Sequence, residues 1–231
     1  MTKRSTITIA LLMCVTTGWW VSRVDSAPNA QTAGEGSDIN DAVQCANLIY
    51  AGTQSSVCFS DAFLSMVAQK TTVHTAQKFT SVKLAGDEIF RFPFAVMTGE
   101  GSFVLTQDER NNLRRYLQRG GFLLASAGCS STQWDASFRR EMQLLFPDNK
   151  LEPLSLDHDM FRTVFDVTEL KTKREHATLQ GLRRGDKIVA IYSADGLNDT
   201  AAMQGCCCCG GNEIVNAQQI NANIFVYSLL E

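Results

Sequence analysis

One unit of this sequence leaves few folds open to the chain. Phe94-Ala95-Val96-Met97-Thr98 and Phe122-Leu123-Leu124-Ala125-Ser126 are short, unbroken apolar runs. The stretch between them has helical periodicity, with Leu113, Tyr116 and Leu117 as its buried stripe. Its punctuation agrees. Thr106 and Glu109 stand in capping-box spacing, Asp108 sits in the positive first turn and Arg119 in the negative last one. Gly120 falls where a left-handed cap is needed. Strands apolar on both faces belong to parallel sheets covered by helices, and such strands are joined by a right-handed crossover.

The same alternation runs through the rest of the chain. Asn47-Leu48-Ile49-Tyr50-Ala51, closed by Gly52, reads as a strand. A helix follows, with Ser60 as N-cap, Phe59 and Leu64 as a hydrophobic staple, and Phe63, Leu64, Val67 and Ala68 as its apolar face. Phe79 to Leu84 is expected to be a strand, as are Arg162 to Thr168 and Lys187 to Ser193. Thr132 with Asp135 opens a helix whose Trp134, Phe138, Met142 and Phe146 recur every four residues until Pro147. Ile214, Ala217, Ile220, Ile224 and Tyr227 mark the closing helix. The expected fold is α/β, a three-layer, doubly wound, mainly parallel sheet filling residues 45–231. Ligands of such sheets bind beyond the carboxyl ends of the strands. That rule selects the loops 52–60, 99–104, 127–132 and 193–212.

The first residues have another purpose. Lys3 and Arg4 precede the apolar run from Ile7 to Val21, and small residues follow near Ser26. This is the pattern of a signal peptide, and the run is shorter than the ~20 residues that spanning a bilayer requires. Trp19-Trp20 would also suit the interface of a membrane anchor. Residues 1–26 are thus expected to be a signal peptide or N-terminal anchor and 27–44 a polar linker, with the domain exported or facing the periplasm. Cleavage would remove three cations and one acid, moving the formal charge from −3 to −5. An acidic chain lacks the basic footprint of nucleic-acid binders, so the expected partners are envelope proteins or a small-molecule ligand.

Cys206-Cys207-Cys208-Cys209 is the most unusual feature. Neighbouring side chains diverge, so only Cys206 and Cys209 have the spacing of a C-x-x-C pair. Three readings stay open. The run forms structural disulfides with Cys129 or Cys58; it joins Cys129 and His158 around zinc or iron; or it is redox-active. His158, between Asp157 and Asp159, is a candidate ligand or base. Glu100, between Gly99 and Gly101, occupies a site-like strand end, and Ser55 and Ser56 line the first candidate loop. Cys45, next to the linker, is expected to matter little.

Two groups of segments resemble a known family. Phe94 to Ser130 resembles the central unit of the class I glutamine amidotransferase-like fold, shared by trehalose-utilisation-like proteins. Asn47-Leu48-Ile49-Tyr50-Ala51, Phe92-Pro93-Phe94, Leu113-Arg114-Arg115-Tyr116-Leu117, Gly120-Gly121-Phe122-Leu123-Leu124, Phe138-Arg139-Arg140-Glu141, Phe146-Pro147 and Asp157-His158 are similar to an uncharacterised bacterial family with that fold. The resemblance implies an exported or membrane-tethered protein of envelope assembly. It implies no chemistry. In an ungapped register from Gly120, the nucleophile's position holds Ala127, with Cys129 two residues beyond, and no matching histidine and acid follow. The expectation is a binding or assembly domain without a glutaminase triad. The alternative is a metal-dependent or thiol-redox enzyme using Cys206, Cys209, Cys129 and His158.

Overall fold

The computed structural model describes residues 42–52, 58–174, 176–203, 206 and 211–231. The expected targeting segment, nearly all of the linker, and Ser55, Ser56 and Cys209 lie outside the described residues. In chain order the elements are β1 (Cys45–Ile49), α1 (Ala62–Lys70), β2 (Thr80–Lys83), β3 (Phe94–Gly99), α2 (Gln107–Gln118) and β4 (Phe122–Ala127). They continue with α3 (Thr132–Leu145), β5 (Leu151–Pro153), β6 (Leu179–Arg184), β7 (Lys187–Ser193) and α4 (Ala217–Leu230).

The strands form one mixed sheet in the order β2-β1-β3-β4-β7-β6-β5. The first five in that order are parallel, in register from Cys45 opposite Phe94 and Phe94 opposite Phe122. β6 and β5 join antiparallel, so the sheet is mostly rather than wholly parallel. Alternate residues of each strand face opposite layers. Ala95 and Met97 pack with Leu113, Leu117, Trp134 and Phe138 of α2 and α3. Phe94 and Val96 pack with Phe63, Val67, Ile220 and Phe225 of α1 and α4. The Phe94 ring stacks on Phe122 and meets Phe225 edge-on, with centroids 5.8 and 5.2 Å away.

The capping box is formed. Thr106 Oγ1 accepts from Glu109 N at 3.3 Å, and Glu109 Oε2 accepts from Thr106 N at 2.7 Å. Gly120 takes the left-handed conformation at φ +94°. α2 is bolted to α3 by the fully buried Glu141, whose carboxylate accepts from Arg110 Nε at 2.7 Å and Nη2 at 3.0 Å.

Some elements differ from expectation. α1 starts at Ala62, whose N–H is held by Ser60 Oγ at 3.1 Å. Ser131 rather than Thr132 caps α3. Residues 162–168 are not a strand; the chain makes a 3₁₀ turn at Asp159–Arg162 and then runs irregularly. The reason is Asn223 on α4. Its Oδ1 accepts from Val164 N and Phe165 N at 3.1 and 2.8 Å, and its Nδ2 donates to Phe165 O at 2.8 Å, taking the place of a neighbouring strand. Cys45 is fully buried against the α1/α4 layer, so the expectation that it matters little is corrected. Among the described residues no helix is long and apolar enough to cross a membrane.

Candidate functional site

β1 lies between β2 and β3, so the chain leaves β1 toward one side and returns on the other. Such a reversal opens a crevice beyond the carboxyl ends of the strands. Its floor is filled by aromatic side chains. Tyr50 donates to Thr98 O at 2.9 Å and accepts from Trp134 Nε1 at 2.6 Å. Burial pushes the Tyr50 phenol up from its ordinary range, although the Trp134 bond opposes the shift, so the hydroxyl stays protonated. A Cβ at Gly99 would stand 2.5 Å from the Tyr50 hydroxyl and 2.9 Å from Trp134 Nε1, which explains the glycine. Above it Gly101 N donates to Ser131 Oγ at 3.1 Å, leaving the side chain of Glu100 exposed.

β4 ends at the fully buried Ala127, and the turn beyond it is unusual. Cys129 and Ser130 are consecutive non-glycine residues in the left-handed region, at φ 54° and 53°. Such residues cost free energy and persist where surroundings hold them. Here the segment after β7 does the holding. Ser130 Oγ donates to Asp195 O at 2.7 Å and accepts from Asn212 N at 2.8 Å. A Cβ at Gly211 would come within 2.6 Å of the Cys129 carbonyl, so only glycine lets this loop close down. Cys129 itself is held in a disulfide, whose other half lies outside the described residues. Its Sγ lies 3.0 Å from Glu100 Oε1, a contact with no thiol proton to share.

The same loop is stitched deeper down. Leu197 N donates to Ser126 Oγ at 2.7 Å, Ser126 Oγ donates to Asn198 Oδ1 at 2.7 Å, and Ser60 N donates to Asn198 O at 2.8 Å. Thr98 and Ser126 are joined by a short bond from the Thr98 hydroxyl to the Ser126 carbonyl. A disulfide between Cys58 and Cys206, with Cα atoms 5.7 Å apart, ties the loop after β1 to the tail. Glu213 holds the Thr200 N–H and hydroxyl at 3.2 and 2.5 Å. Beside it, Asp199 has its carboxyl pushed above the usual range by burial and then by Glu213, while a bond from Ser60 opposes the shift.

This geometry gathers Gly99, Glu100, Gly101, Cys129 and Cys206 at one end of the sheet. His158 is elsewhere. Its Nδ1 accepts from Met160 N at 3.2 Å, and its ring meets Tyr227, which packs on Phe122 at the start of β4. Cys129 lies past the end of that strand, on the order of 20 Å away at ~3.3 Å per residue. Among the described residues no group of three or more His, Cys, Asp or Glu could hold a metal ion. Sequence reasoning named the loop 193–212 but missed Ser130, Asp195, Asn198, Asp199 and Glu213. Its composition flags a polar loop, and nothing local reveals which side chains turn inward.

With Cys129 in a disulfide, its sulfur is not the thiolate that nucleophilic attack requires. Among the described residues the Glu100 carboxylate stands exposed on its glycine turn. Residues 45–229 match the model of a domain of unknown function, DUF4159. The chain belongs to the DUF4159 family. The match begins at the first residue of β1 and ends in α4, so the DUF4159 domain takes in the whole sheet and every strand end described above. No curated protein matched this DUF4159 chain.

Proposed function

We propose that this chain is an exported or membrane-tethered domain of the cell envelope that binds or assembles a partner on an amidotransferase-like scaffold, without glutaminase activity. The order of its parallel strands, two to one side of the first crossover and the rest to the other, suits the flavodoxin-like winding of that scaffold. The observation that carries the reading is the disulfide on Cys129, the cysteine that follows the strand end where such enzymes place their nucleophile. Ala127 stands at the expected nucleophile position. Disulfides persist in oxidising compartments, which supports export. Glu100, on the turn between Gly99 and Gly101, is the proposed contact for a ligand, with Ser55 and Ser56 as further candidates.

The test is turnover. Oxidised protein should release no ammonia from glutamine and should hydrolyse no activated ester, and Cys129→Ser should change neither result. Turnover that appears on reduction and vanishes in Cys129→Ser would overturn the reading in favour of a thiol enzyme. A count of free thiols with elemental analysis, on protein purified without chelator or reductant, separates disulfides from zinc or iron.

A further inference from the structure

The end of the sheet opposite the candidate site has a different character. The residues preceding β3 and β4, and the hairpin joining β6 to β7, place Arg91, Arg119, Arg183, Arg184 and Lys187 at the amino ends of the parallel strands. Among the described residues no carboxylate lies within 4.0 Å of any of the five, although Asp148, Asp159, Asp186 and Glu231 share this end. The guanidinium carbons of Arg115 and Arg119 lie over the Phe90 ring, 4.8 and 5.3 Å from its centroid. Two clefts meet at Gly120, one of about 450 Å³ beside Arg184 and Lys187 and one of about 400 Å³ beside Arg91 and Arg119. The opposite end carries the acids Glu100, Asp195, Asp199 and Glu213 beside the cations Lys171, Lys173 and Arg174, whose segment is hydrogen-bonded to residues 212–216. The amino ends of the strands are thus set apart by two clefts lined with cations that have no ion-pair partner among the described residues.

A second observation bears on what this end faces. β1 starts at Cys45, opposite Phe94, so residue 42 reaches the sheet at the basic end. Residues 22–41 are all that separate it from the apolar run at 7–21. We propose that the basic end lies against an anionic lipid surface, with phosphate headgroups entering the two clefts. This rests on the membrane-tethered reading above. The five cations give an acidic protein a face that such a surface attracts, and this orientation turns Glu100 and the disulfides away from the membrane.

Flotation of the full chain with vesicles tests it, comparing phosphatidylcholine alone with phosphatidylcholine plus phosphatidylglycerol. Each cation near an anionic surface is worth about fivefold in partition. The triple variant Arg119→Gln, Arg184→Gln, Lys187→Gln should thus lose about a hundredfold of the preference for anionic vesicles while melting like the parent. Raised salt should have a similar effect. A control variant with Lys171, Lys173 and Arg174 changed to Gln should keep the preference. Equal partition to both vesicles overturns the proposal and leaves the tether standing. Flotation with anionic vesicles alone, lost in the triple variant, supports the basic face and removes the tether. An equal loss in the control variant would show a net-charge effect and overturn the assignment of the face, as would binding to neither vesicle.

Discussion

Cys206→Ser cuts the covalent tie between the loop after β1 and the tail. The bond spans 148 residues of sequence. In the chain-entropy description a loop of that length restricts the unfolded state by about 5 kcal/mol, and removal of a native disulfide costs roughly 2–5 kcal/mol in practice. For a domain of this size each kcal/mol moves the melting temperature by about 2–4 °C, so a loss of roughly 10–20 °C is expected at the upper end. Calorimetry of parent and variant without reductant reads it directly. Cys58→Ser should fall by the same amount, and the double variant by no more than either single one, because all three remove one bond. With reductant the parent should fall at least as far as the variant. A Cys206→Ser protein melting within about 2 °C of its parent would refute the reasoning, being a smaller shift than 1 kcal/mol produces.

Three further outcomes follow from the packing. Glu141→Ala leaves the partly solvated Arg110 guanidinium without its partner, and urea melts should show a loss of about 1–3 kcal/mol. Cys45→Ser puts a hydroxyl in an apolar layer and should cost about 1–3 kcal/mol, whereas Cys45→Ala should cost less; equal melting of the two would contradict the burial argument. Asp199 has a raised folded-state pKa, so the native state holds its proton more tightly than the unfolded chain. Its contribution to stability is present below the ordinary value of 3.8 and is lost as pH rises through the raised one. Asp199→Asn should therefore stabilise the protein at neutral pH and flatten stability against pH above that point, as denaturant midpoints across a pH series would show.

Legibility in the sequence followed the range of the interactions. The unit from β3 to β4 was readable because a capping box, a buried stripe and a terminal glycine all act within a few residues. Lys187–Ser193 was readable as a continuous apolar run. β5 and β6 were not, since Leu179-Gln180-Gly181-Leu182 has no clean period and its pairing is dictated by β7. The 162–168 stretch has the composition of a strand, and only Asn223, more than fifty residues later, supplies the bonds that make it irregular. The candidate site shows the same limit. Its loops were placed by the rule for strand ends, while Ser130 meets Asp195 and Asn212 at separations of 65 and 82 residues. Disulfides were foreseen among the cysteines, including the pairing of the run with Cys58, but spacing alone could not choose among the partners.

The rims of the sheet set the way this protein behaves at high concentration. The outer strands are β2, with four residues, and β5, with three that end in Pro153. Unpaired N–H and C=O groups on a rim recruit further strands, and short rims bearing proline or lysine are poor templates for it. Lys83 is exposed at one rim and Pro153 at the other. The folded domain is thereby guarded against growth into ribbons in a crowded compartment. Contacts between folded copies are then left to helices and loops rather than to added strands.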